Sequence, residues 1–300
     1  MAPSLLTIPP EIRSIILEQV ILAKRDAPND LQSAETTHHL HRDNTYYNQL
    51  TMHFEAWSPG LRNVHFERQS TGYSSNSLPL LLTNHQINAE THSAMSRLVN
   101  EVRRYDLDIL VSQGFWSTWT CVPILSDQVD LVTATFRVDF IPTSGFIPGD
   151  GSPPTIYWWF YFLLEYFLKR GPVVPTTSNL SRPVDREVCI RELVLNFVST
   201  TGSNLAAKLA QEAERALSYV IGMSYHTSPY GAIIHERVGA VRLCVNGALI
   251  SEVNPGEVLS KMVYVDPVQT IGYLVIREAR LVAFWEWKEK AAKLRRRRGF

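Results

Sequence analysis

The chain is predicted to be an α/β or α+β protein, a small mixed sheet covered by helices and preceded by a short helical segment. Apolar residues recur with period two in separate runs, helical spacings lie between those runs, and 45% hydrophobic with 10% aromatic residues among 300 supply a sizeable core. Strands alternating with helices favour a layered body. No motif returns at a fixed period, which disfavours a uniform solenoid.

Pro9 and Pro10 mark the first helix start, where a fixed φ and a missing donor cost nothing. From about Glu11 to Leu22, Ile12, Ile15, Ile16 and Val20 share one face, with Leu17 and Ile21 round the side. Glu11, Ser14 and Glu18 form the polar strip, and Arg13 and Gln19 interrupt the apolar arc. A helix with two apolar flanks must bury one in its own domain and offer the other to the interior or to a partner. Residues 24–77 are polar and weakly periodic, and read as an insertion or linker. Its apolar points Tyr46, Tyr47, Phe54, Trp57 and Phe66 are expected to dock on the body.

A second helix of about five turns is expected from Leu78 to Leu98, with Leu80, Ile87, Ala94 and Leu98 at helical spacing. The strands follow: Tyr105, Leu107, Ile109, Val111; then Val132, Ala134, Phe136, Val138, Phe140; then Leu193, Leu195, Phe197; then Val241, Leu243, Val245, ending at the hairpin dipeptide Asn246, Gly247. Gly149, Asp150 and Gly151 read as a turn. Helices are expected over Tyr157 to Lys169, Leu205 to Met223 and Tyr273 to Arg298. The first of these is apolar nearly all round, but it contains Glu165 and is far shorter than the roughly 20 residues a membrane span needs, so it is read as buried. The three domains expected are 1–23, 24–77 and 78–300.

Charge and motif content narrow the function. Formal net charge is zero, so no global field draws the chain to nucleic acid or anionic lipid. Met1 to Leu6 lacks a basic, apolar leader, and Cys121, Cys189 and Cys244 are far apart in apolar stretches; both predict an intracellular protein, cytoplasmic or nuclear. No phosphate loop, Gly-x-Ser-x-Gly elbow or zincin spacing is found. His38, His39 and His41, the pair His85 and His92, and the carboxylates Asp106 and Asp108 are each read as ordinary surface or packing groups, not as metal ligands or a proton-transfer pair. No cofactor, metal or catalytic residue is assigned. The basic run Lys288, Lys290, Lys293, Arg295, Arg296, Arg297, Arg298 reads either as a nuclear import signal or as the solvated end of a helix.

The order LLTIPPEIRSIILEQV, with Leu5, Leu6, Ile8, Pro9, Glu11, Ile12, Arg13, Ile16 and Leu17, resembles the opening of an F-box. In that family the Leu-Pro-x-Glu-Ile start and first helix bind the Skp-type adaptor of a cullin ubiquitin ligase, and the rest of the chain captures a protein substrate. The resemblance covers roughly the first twenty positions. LPLLLTNHQINAETHSAM, Leu78 to Met95, followed by YDLDILV, Tyr105 to Val111, is similar to filamentous-fungal proteins that carry such a box. A full F-box continues directly into further helices, whereas here residues 24–77 intervene, so Leu78 to Leu98 would have to complete it in space. The resemblance implies Ile8, Pro9, Ile12, Ile15, Ile16 and Leu17 as adaptor-facing residues on a non-enzymatic substrate adaptor. A self-contained scaffold is the second reading, and an enzyme assembled from scattered polar residues the third.

Overall fold

The computed structural model describes residues 5–40, 63–67, 75–141, 154–172, 186–199, 204–223, 227–264 and 274–300. His41, Tyr46, Tyr47, Phe54, Trp57, Tyr273 and the turn at Gly149, Asp150 and Gly151 lie outside them. The helices are α1 (Pro10–Ile21), α2 (Leu31–Thr37), α3 (Ser77–Leu81), α4 (His85–Arg97), α5 (Thr155–Arg170), α6 (Leu205–Ile221), α7 (Ser228–Arg237), α8 (Pro255–Lys261) and α9 (Leu274–Arg298). The strands are β1 (His38–Leu40), β2 (Val64–Glu67), β3 (Arg104–Ser112), β4 (Phe115–Cys121), β5 (Gln128–Phe140), β6 (Cys189–Ser199), β7 (Val238–Val245) and β8 (Ala248–Val253).

The strands form one eight-stranded sheet in the order β1-β2-β4-β3-β5-β6-β7-β8. It is mixed, as expected, but larger than the four strands read from period-two runs. The neighbours β3, β5, β6 and β7 are parallel, and antiparallel β4 and β8 flank that parallel block. Parallel neighbours need crossovers. Helix α5 makes the crossover from β5 to β6, and α6 with α7 makes the one from β6 to β7.

Register aligns one apolar face. Leu107 pairs with Ala134, Ala134 with Leu195 and Leu195 with Leu243; one rung along, Ile109, Phe136, Phe197 and Val245 align in the same way. Helices α5 and α6 close over this face, and Phe136 and Phe197 stack at 4.8 Å within it. Helix α5 is buried on nearly every side, as its sequence predicts. The three cysteines are buried and free. The opposite sheet face alternates polar and half-buried, with Asp106 on Lys24 at 2.7 Å, Asp108 on Arg137 at 2.8 Å, and Arg242 bridging Glu192 and Glu252. That polar alternation made β3 and β5 readable as strands.

Several expectations change. Residues 24–77 supply α2 and the strands β1 and β2, so the described part of this interval contributes a helix and two strands of the sheet. The helix expected from Leu78 to Leu98 is two helices. Asn84 is extended (φ −161°, ψ 171°) and its side chain accepts the Ile87 N–H at 2.9 Å, restarting the helix as an N-cap. Strand β4 carries no period-two signal in its sequence, because Phe115, Trp116, Ser117, Thr118 and Trp119 are all buried. The hairpin turn at Asn246 (φ 50°) and Gly247 (φ 80°) stands where its dipeptide places it, joining β7 to β8.

Candidate protein-interaction surface

A 3-10 turn over Leu5–Thr7 leads to Pro9, whose φ of −52° and ψ of 141° keep it extended before α1 begins at Pro10. Helix α1 then divides its two flanks. Arg13, Leu17 and Ile21, four residues apart, face inward. Leu17 and Ile21 join Ile87 and Ala94 of α4 and Val102 in a satellite core, with Leu80 of α3 packed against it. Leu17 is 0% exposed, against 50% for Ile12 and 56% for Ile15 on the other flank. Leu6 and Val20 extend the exposed apolar line.

A charged device fixes which flank is which. The Arg13 guanidinium, 3% exposed, donates from Nε and Nη2 to the two Glu90 carboxylate oxygens at 2.5 and 2.7 Å. Its Nη1 donates to the Ile8 carbonyl at 2.8 Å and the Leu6 carbonyl at 3.3 Å, holding the 3-10 turn and the proline pair against the helix. Such bidentate pairing is directional as well as strong. The hydrogen bonds from Arg13 hold the Glu90 carboxyl below its ordinary value, and the Glu90 carboxylate raises Arg13 in turn. Arg97 reaches from α4 to Glu18 at 2.7 Å and to the Ser14 hydroxyl, a second tie along the same seam. The Asn76 amide donates to the Ile21 and Ala23 carbonyls at 3.0 and 2.8 Å, capping the end of α1 with the segment that leads into α3.

Of the six residues expected to face an adaptor, Pro9, Ile12 and Ile15 are exposed and Ile8 and Ile16 are half-buried. Leu17 is corrected to a core residue, because its place on the inner line puts it against Ile87 and Ala94. Arg13 and Glu90 were missed as a pair. The signal was present: a cation inside an apolar arc requires a buried partner.

The remaining candidates disperse. His85 and His92 are exposed, and no group of three metal-capable side chains occurs among the described residues. Asp106 and Asp108 are each committed to a different cation. His38 is buried under α2, within hydrogen-bond distance of the Ala34 and Ser117 carbonyls and the Thr118 hydroxyl, and His65 stacks on Trp116 at 3.7 Å. Burial pushes the Cys121 thiol up to about 11, the opposite of an activated nucleophile. No described helix is long and apolar enough to cross a membrane. Comparison with known proteins yields no matching family model, no matching curated protein and no matching solved structure.

Proposed function

We propose that the chain is a protein-interaction module of the F-box type. Its N-terminal helical cluster docks on a Skp-type adaptor of a cullin ubiquitin ligase, and its α/β body captures a second protein, in the cytoplasm or the nucleus. One observation carries the reading: α1 uses one apolar flank for its own core and leaves Pro9, Ile12 and Ile15 exposed on the other. Helix α4 packs against α1 despite the intervening residues, and Leu80 of α3 packs on the same satellite core, which supports the reading. Fully covering an aliphatic side chain of this size contributes about 1.5–3 kcal/mol, enough for a few such anchors to hold a partner.

The test is co-purification of the full chain with the adaptor, comparing wild type with an Ile12→Asp, Ile15→Asp double variant. Both positions are outside the core, so circular dichroism should be unchanged while adaptor recovery is lost. Absence of adaptor from the wild-type purification removes the ligase reading and leaves the scaffold reading, in which α1 docks on some other protein.

A further inference from the structure

Away from α1, a cleft of about 380 Å³ lies between α8 and α9. Its wall carries three cationic side chains, Lys288, Arg295 and Arg296, against one side-chain carboxylate, Glu257. Arg295 is 5% exposed yet has no carboxylate partner among the described residues. Its Nη1 donates to the His235 and Val238 carbonyls at 2.9 and 2.6 Å and its Nη2 to the Gly239 carbonyl at 3.2 Å. Neutral carbonyls satisfy N–H groups but leave the positive charge standing, and low-dielectric walls concentrate the field of such a charge.

Unspent donors accompany that charge. The Lys288 ammonium is already engaged, on the Ser260 and Met262 carbonyls at 3.2 and 2.6 Å and over the Trp285 ring at 5.1 Å, and lends the cleft its charge only. Asn254 spends its carbonyl oxygen on the Gly256 and Glu257 N–H groups, at 2.9 and 3.4 Å, while its amide NH2 is not hydrogen-bonded among the described residues. Arg296 is exposed and has no ion pair among the described residues. One aromatic ring, Phe300, lines the same cleft. Helix α9 ends in a Schellman turn, with Gly299 at φ 73° and the Phe300 N–H donating to the Arg295 carbonyl at 3.0 Å. This turn brings the Phe300 ring over the Arg295 guanidinium at 5.5 Å.

Donors without acceptors, cations in excess and one aromatic ring describe the complement of a particular ligand class. We infer that the α8–α9 cleft binds a small phosphate monoester, its phosphate held by Arg296 and the Asn254 amide beside the buried Arg295 charge, and its apolar group laid on Phe300 and Leu259. The volume lies within the range of small-molecule sites. This site is independent of the α1 surface and of the ligase reading.

Phenyl phosphate is the probe and benzyl alcohol an uncharged aromatic control, each titrated calorimetrically into the full chain at low salt. Phenyl phosphate should bind and benzyl alcohol should not. Arg296→Glu should weaken phenyl phosphate about tenfold or more, the scale of one lost charge-assisted hydrogen bond. Asn254→Asp keeps the oxygen that caps α8 but turns the free donor into an acceptor, and should weaken it similarly. Both variants should melt as the wild type does, since neither touches the core. Absence of phenyl phosphate binding, equal binding of benzyl alcohol, or wild-type affinity in both variants would overturn the site.

Discussion

Leu17 and Ile15 stand two positions apart on α1, about 200° apart round the helix, and so meet opposite environments. Leu17→Ala should cost about 2–5 kcal/mol, because the satellite core around Ile87 and Ala94 cannot fully close over the cavity. Thermal or urea unfolding measures it. Ile15→Ala, more than half exposed, should leave stability within about 0.5 kcal/mol and, on the proposed reading, lower only the recovery of a partner. A reversed order of these two effects would mean that the flanks are misassigned. The hydrophobic wheel alone ranks the two residues alike. Arg13 breaks the tie: a buried guanidinium bonded to Glu90 fixes the rotation of α1, and rotation decides which isoleucines face out.

At the scale of elements, close approaches set the register. A Cβ on Gly239 would lie 2.3 Å from the Arg191 carbonyl oxygen, so β7 begins beside β6 only because that position lacks a side chain. Gly239→Ala should therefore destabilise by about 1–3 kcal/mol, where an unobstructed Gly→Ala change stabilises slightly. Denaturant unfolding decides between the two signs. Read as a charge run, the basic end of α9 looks solvated, yet Arg295 and Arg298 donate to carbonyls around the junction of α7 and β7, while Arg296 and Arg297 are exposed. Cations favour the carbonyl ends of helices, and the turn between α7 and β7 gathers several of them in one place.

For the whole molecule, the edge of the sheet carries a pH dependence. Burial is the main reason His38 and His65 titrate below the ordinary imidazole value, His65 at about 4, with His38 adding repulsion. Both are therefore neutral in the fold and protonate more readily once unfolded. Their contribution is fully present above pH 6.5 and is lost as pH falls from there toward about 4. The melting temperature should drop across that window, and His65→Gln should flatten the drop. A profile as steep in the variant as in the wild type would place the acid sensitivity elsewhere.

The sequence by itself determined the layered class, four of the strands, the buried aromatic helix, the Asn246–Gly247 turn and the twin-flanked first helix. Each of these is encoded in local periodicity or in a turn's backbone preference, which neighbours in the chain can express. Only the tertiary structure decided that β1 and β2 join the sheet through the described part of 24–77, that Asn84 splits the second helix, that Leu17 points in while Ile12 and Ile15 point out, and that a cleft gathers Asn254, Lys288 and Arg296. These depend on contacts between residues far apart in sequence. Periodicity says that a face exists; which surface it meets is settled by the packing of the rest of the chain.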